Sequence, residues 1–278
     1  KRKNMIINKY PRQSKKRNEE FFNRKDQELT NLDWAKWAGW FDTDGCFSKH
    51  YNKTTKRWQI LSALKLRDKQ PVDLFSKTFE TSLVYVELPT ETPNGHKYIA
   101  KVYQSGCTAA KATWFTENIF PYLIKEEKRD FAAKLLGYRP ESKDFTTWTP
   151  AEVTQYLATA IEGDGYVRCF HNKHTLSIAV EVCSSDEQYL YNIIHLTANK
   201  LGLHSKVIKK GFYQTKKGKR ARFMLYISCG ETYPNNLTFF KSLVKDGIMT
   251  LDRKKEIVQE FVTWMNSNKV SLKTEIRV

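Results

Sequence analysis

No apolar run in the 278-residue chain approaches the ~20 residues that cross a bilayer. The N-terminal stretch also lacks the apolar core of a secretory signal. The five cysteines, Cys46, Cys107, Cys169, Cys183 and Cys229, never stand as C-x-x-C. Neither a disulfide framework nor a thiolate zinc site is therefore expected, and the thiols read as reduced ones of an intracellular protein. G-x-S-x-G, P-loop and G-x-G-x-x-G motifs are all missing. Of the histidines only His171 and His174 are close neighbours, and a turn is a better home for them than a metal site. The chain opens without methionine, which reads as a processed, excised or cloned piece.

Acids are scarce too. Lys and Arg total 47 against 30 Asp and Glu, a formal charge of +17 and a pI near 9.5. Solubility needs only a modest net charge. The excess points to a polyanionic partner, with nucleic acid ahead of an anionic membrane surface. With 40% apolar and 28% charged residues, wholesale disorder is not expected.

What is present is a repeat. WAGWFDTDG at residues 37–45 and LATAIEGDG at residues 157–165 each carry small residues into an acid, a small residue, an acid and a glycine. Each is followed by the same order of elements. In the first unit, residues 30–138, a helix beginning near Thr30 leads to strands at 46–52 and 57–67, a helix at 71–79, strands at 83–88 and 97–105, and helices near 108–118 and 125–138. Residues 139–149, without apolar periodicity, read as a linker. The second unit, 150–278, starts at Thr149, Pro150 and Glu152, the composition of a capping box. Its helix ends near Gly163. Strands follow at 166–172 and 175–183, a helix at 186–201, strands at 205–213 and 220–228, and helices at 233–244 and 251–266. The fold class is α+β, a pseudo-twofold duplication of αββαββα with two four-stranded antiparallel sheets. Residues 1–29 read as a separate basic arm, solvated or lying along a phosphate backbone, its end pinned by Phe21 and Phe22.

Small residues at Ala35, Ala38 and Gly39, and at Ala158 and Ala160, would let two helices approach closely. Side by side, they would bring their C-terminal acids together. Helix C-termini carry partial negative charge, so converging carboxylates there call for cations. Oxygen ligands with retained waters suit Mg²⁺, and paired metal sites are one route to phosphodiester hydrolysis. The strands add a second signal. Trp58, Ile60, Leu64 and Leu66 alternate with Arg57, Gln59, Lys65 and Arg67, while Leu176, Ile178, Val180 and Val182 alternate with Thr175, Ser177 and Glu181. A cationic, amide-bearing sheet face can read base edges in a major groove. Turn-tip lysines Lys53, Lys56, Lys216 and Lys217 would touch phosphates.

On these two motifs and this element order, the chain resembles the LAGLIDADG family over about residues 30–268, in its single-chain, two-motif homing endonuclease form. It departs from the motif at Trp37, Trp40, Thr159, Ala160 and Glu162, with Thr159 expected to loosen helix packing slightly. The resemblance implies a DNA-binding saddle with the motif helices at its centre. It further implies double-strand cleavage of a long asymmetric target across the minor groove, 3′ overhangs, Mg²⁺ or Mn²⁺ as cofactor, and Ca²⁺ supporting binding alone. A monomer is expected, in an organelle or a phage-infected cell. Carried over residue by residue, it assigns metal and catalysis to Asp44 and Asp164, with Thr43 and Gly163 beside them and Asp42 structural. The basic shell falls to Lys125 and to Arg253 or Lys254. DNA contacts are expected from Ser48, His50, Asn52, Arg57, Gln59, Lys65, Arg67, Lys101 and Tyr103. In the second unit they are expected from Arg168, Phe170, Asn172, Ser177, Glu181, Lys206, Lys210, Lys217, Arg220, Arg222 and Tyr226. Arg67 corresponds to Cys183, so unequal half-sites and unequal cutting rates are expected. The alternatives are a maturase of the same fold that binds intron RNA, which retention of both acids disfavours, and a transcription regulator, for which 1–29 is too short an added domain.

Overall fold

The structure, a computed structural model, describes residues 12–52, 56–91, 97–172, 175–215, 218–229, 234–245 and 247–275. Expectations placed on residues 1–11, Lys53, 92–96, His174, Lys216, Lys217 and 276–278 lie outside them. The chain divides into two compact units, residues 1–144 and 145–278.

Unit 1 runs α1 (Arg12–Glu28), α2 (Asn31–Thr43), β1 (Gly45–Asn52), β2 (Arg57–Leu66), α3 (Lys69–Phe79), β3 (Val84–Glu91), β4 (Lys97–Thr108), α4 (Ala109–Ile119) and α5 (Glu126–Leu136). Its sheet is antiparallel in the order β1-β2-β4-β3. Unit 2 repeats the plan with α6 (Pro150–Asp164), β5 (Gly165–Asn172), β6 (Thr175–Ser184), α7 (Glu187–Leu201), β7 (Ser205–Thr215), β8 (Gly218–Cys229), α8 (Pro234–Leu243) and α9 (Asp252–Glu275). Its sheet has the matching order β5-β6-β8-β7.

Both motif helices start the same way. Thr30 accepts from the Asp33 N–H while Asp33 accepts from the Thr30 N–H at 2.9 Å, and Thr149 and Glu152 reciprocate likewise at 3.2 and 2.6 Å. Two orphan donors per helix are thereby satisfied.

In each sheet one face is packed on helices. Phe47, Ser62 and Leu64 share that face in unit 1, where the Ser62 hydroxyl lies 2.7 Å from that of Thr116 on α4. An aromatic core fills the space: Phe41, Phe75, Phe79 and Phe115 are fully buried, with ring centroids 4.7–5.8 Å apart. Unit 2 buries Ile178, Val180, Val182, Leu190, Ile193 and Leu225 instead.

Two expectations are corrected. Residues 12–28 form a helix rather than an arm, because Phe21 and Phe22 fall together on Trp114 of α4, Phe22 stacking on it at 5.5 Å and Phe21 meeting it edge-on. The end of the linker is also packed: Phe145–Thr147 is a 3-10 turn, and Trp148 is buried against Tyr156, 5.7 Å between ring centroids.

Candidate active site and nucleic-acid face

Each motif helix hands directly to the first strand of its sheet at an acid followed by glycine. Asp44 caps α2, its N–H donating to the Trp40 carbonyl at 2.8 Å, and is half-buried. Asp164 is the last residue of α6 and is exposed. Gly45 and Gly165 are required by close approach. A Cβ on Gly45 would collide with the backbone and ring of Phe41, and one on Gly165 with the backbone of Ile161.

Two contacts, repeated in both units, fix these junctions. The first uses the motif's earlier acid. Asp42, fully buried, accepts from the Ile124 N–H at 2.7 Å. Glu162, also buried, accepts from the N–H groups of Thr250 and, at 2.6 Å, Leu251. Asp42 is structural, as its position in the motif implied. The second uses a lysine at the third residue of the unit's last helix. Lys254 donates to the carbonyls of Ile161 (2.6 Å), Glu162 (2.7 Å) and Gly165 (2.7 Å), and Lys128 donates to that of Gly45. A cation at a helix C-terminus satisfies its orphan carbonyls and complements its dipole.

This equivalence revises the basic shell. Lys254, rather than exposed Arg253, is the buried cation of unit 2. Its twin is Lys128 and not Lys125, which instead caps α5. Burial lowers the Lys128 pKa, as does the neighbouring Lys125 charge, while Asp42, Cys46 and Asp44 raise it. A lysine shifted this way gives up its proton more readily. The signal in the sequence is an acid-x-Lys opening to the last helix of each unit, Glu126–Lys128 and Asp252–Lys254.

The opposite sheet faces carry most of the expected contacts. In unit 1 the side chains of His50, Asn52 and Arg57 lie outside the described ones; the register places Ser48, Gln59 and Lys65 together, away from the helices. Arg67 joins them, donating to the Tyr98 hydroxyl at 2.9 Å. Lys101 and Tyr103 do not. Register sets Tyr103 opposite Leu66 and Tyr85, and Lys101 opposite Glu87, on the face shared with Leu64 and Cys107. Gln104 and Tyr98 take the outward positions of β4. In unit 2 the outward face holds Arg168, Phe170, Ser177, Glu181, Lys206, Arg222 and Tyr226, while the side chains of Asn172 and Arg220 lie outside the described ones. Arg168 lies over the exposed Tyr166 ring at 4.4 Å and 3.9 Å from Glu181. Arg222 donates to Cys183 Sγ at 3.3 Å. Lys210 is displaced by a bulge between Lys209 and Gly211, where Gly211 has φ +108°.

Among the described residues no three His, Cys, Asp or Glu side chains gather as a metal cluster. Each unit offers one carboxylate at its junction, a hard oxygen donor of the kind Mg²⁺ accepts alongside water. Thr43 turns its hydroxyl proton back to the carbonyls of Gly39 and Trp40, both at 3.0 Å, and Gly163 offers only its main chain.

No family model and no curated protein sequence matches the chain. Solved structures do. The LAGLIDADG meganuclease I-AabMI bound to uncleaved DNA aligns over 86% of this chain and 93% of its own, at 12% identity and a TM-score of 0.51. The homing endonuclease I-GzeII in complex with its DNA target covers 90% and 93% at 15% identity and TM-score 0.46. I-WcaI on its recognition sequence covers 85% and 91% at 13% and 0.47. Two units of the same α+β plan, each with an acid-glycine junction at the end of its motif helix, show that the chain has the fold of the LAGLIDADG homing endonucleases.

Proposed function

We propose that the chain is a metal-dependent, site-specific double-strand DNA endonuclease of the homing type, acting as a monomer on a long asymmetric target. The observation that carries this reading is the repeated junction: Asp44 and Asp164 each close a motif helix held by the same carboxylate and lysine contacts. Such a match in geometry is not needed for solvated helix-end acids. Asp44 and Asp164 would hold Mg²⁺, with water completing its oxygen shell. Bound there, the cation supplies charge neutralisation at the scissile phosphate and a more acidic water. The chain's own residues do the rest. Lys128 and Lys254 fix the acids' backbones and place positive charge beside them. The outward strand faces supply bidentate Arg and Gln groups for base edges and lysines for phosphates.

The half-sites are chemically unequal. Asp44 is half-buried and Asp164 exposed, and the strand register makes Lys65, rather than the expected Arg67, the counterpart of Cys183, which receives Arg222. This supports a non-palindromic target and unequal rates for the two strands.

The test is cleavage selection from a random duplex library with Mg²⁺, using Ca²⁺ as the binding-only control. Asp44→Asn and Asp164→Asn should each abolish double-strand cleavage and keep binding. Undiminished cleavage by both variants would overturn the assignment. Enrichment of no duplex, with RNA retained, would move the reading to the maturase.

A further inference from the structure

Unit 1 presents a second surface with nucleic-acid chemistry, on the other side of its sheet. Six residues out from the pair Gly45 and Leu64, the β1–β2 register brings Tyr51 opposite Trp58. Both lie on the face that carries Phe47 and Leu64, the face turned to the helices. Yet Trp58 is 70% exposed and Tyr51 48%. Their rings meet edge-on with centroids 5.6 Å apart. Lys49, two residues before Tyr51 on the same face, is exposed as well.

Unit 2 provides the internal comparison. The same six steps from Gly165 and Val182 bring His171 opposite Leu176, so Leu176 is the twin of Trp58. Leu176 is only 4% exposed. The cover is α9, which packs on β5 and β6 and receives the Cys169 thiol on its Ile257 carbonyl at 3.4 Å. That helix has 24 residues; its counterpart α5 has 11 and ends at Gly137, whose φ is +79°. Where the face is covered, Leu176 and Cys169 occupy the positions that Trp58 and Lys49 hold where it is bare.

An uncovered apolar face of this kind marks an interaction site. A partner helix seated there would strip water from Lys49 without a counter-charge, which is costly. Unpaired nucleotides have no such conflict: bases stack on aromatic rings and the phosphate takes the cation. The chain's charge of +17 favours the same ligand. We propose that Tyr51, Trp58 and Lys49 form a stacking platform for unpaired nucleotides, of single-stranded DNA or RNA, on the sheet face opposite the one assigned to duplex. The platform is independent of the nuclease reading.

Trp58 reports on its own occupancy. Trp34, Trp37, Trp40, Trp114 and Trp148 are buried and Trp264 is half-buried, so acrylamide quenching of the full chain reads chiefly Trp58. Titration with oligo(dT) and oligo(U) of about 12 nucleotides, a length within single-strand site sizes, should protect that fluorescence. Trp58→Ala should weaken binding of the oligonucleotides at least about fivefold, the low end of one lost stacking contact. Tyr51→Ala should weaken it as well, and Trp58→Phe should retain most of it. Tighter oligo(U) than oligo(dT) binding would identify RNA as the source, and the reverse DNA. Circular dichroism and melting of the variants should match wild type, because both side chains are exposed, and duplex binding should be unchanged. Unaltered quenching at saturating oligonucleotide, or equal affinity in Trp58→Ala, would overturn the proposal. So would a matching loss of duplex binding, which would put Trp58 on the duplex face.

Discussion

The ammonium of Lys254 lies 2.7 Å from the carbonyl oxygen of Gly165, 89 residues earlier in the chain, and reaches the carbonyls of Ile161 and Glu162 from the same position. One buried side chain thus holds the end of the motif helix and the start of the strand that follows it. Lys128 makes the shorter version of this contact, to Gly45.

Removing these cations should separate the true shell from its neighbour. Lys254→Met strands three carbonyls and should cost about 3 kcal/mol in urea unfolding, and Lys128→Met about 1.5 kcal/mol, from the usual size of charged hydrogen bonds and unmet buried acceptors. Lys125→Met should stay within about 0.5 kcal/mol, as for an ordinary surface change. Cleavage rates should fall for the first two and hold for the third. Equal losses for Lys125→Met and Lys128→Met would refute the pairing of Lys128 with Lys254.

Lys128 also gives a pH signature. Its folded pKa is lowered, first by burial and then by Lys125, from an ordinary value of 10.5. Between the lowered value and the ordinary one, the unfolded chain binds more protons than the folded one, so stability from this group rises with pH. The unfolding free energy of wild type minus that of Lys128→Met should therefore increase as pH is raised from about 7 to about 10, approaching lysine's ordinary pKa. A flat difference would mean that Lys128 is solvated.

Glycine at the junction should be irreplaceable in both units. Gly45→Ala and Gly165→Ala place a methyl group against helix backbone, which cannot swing aside. Overpacking of this kind costs about 1–3 kcal/mol, and the displaced junction should lose cleavage before it loses fold. Calorimetry alongside a cleavage assay checks this; full activity in either variant would show that strand and helix can separate there.

The thiols should sort by position. Cys46 is exposed on the outward strand face one residue beyond Gly45, whereas burial pushes Cys107 up to about 12. Because the thiolate is the nucleophile, an aromatic disulfide reagent at about pH 8 should label Cys46 quickly and leave Cys107 until unfolding. Cognate duplex with Ca²⁺ should protect Cys46. Labelling of Cys46 that ignores bound duplex would remove DNA from that face.

The paired motif and the alternation of β2 and β6 were legible because one face of each strand is consistently apolar from Ile178 to Val182 and from Leu64 to Leu66. Strand β4 was not, since apolar residues fall on both of its faces: Ile99 on one, Ala100 and Val102 on the other. Only pairing with Leu66 decides that Tyr103, and with it Lys101, falls on the face of Leu64. Helix α1 was hidden for a different reason. It is densely charged, and the aromatic pair that docks it finds its partner, Trp114, more than ninety residues away along the chain. Lys128 needed its twin to be seen, because a lysine in the first turn of a helix is ordinary until its partner carbonyl is known.

The carboxylate and lysine contacts at each junction also set a timetable. Asp42 meets Ile124 across 82 residues and Gly165 meets Lys254 across 89, so neither acid can be fixed until nearly all of its unit has been synthesised. Contacts this distant in sequence form late, after the local hairpins and helices. A nascent chain stopped short of residue 124 or 250 would own the acid but not the geometry, which ties the proposed cleavage to synthesis of the whole unit.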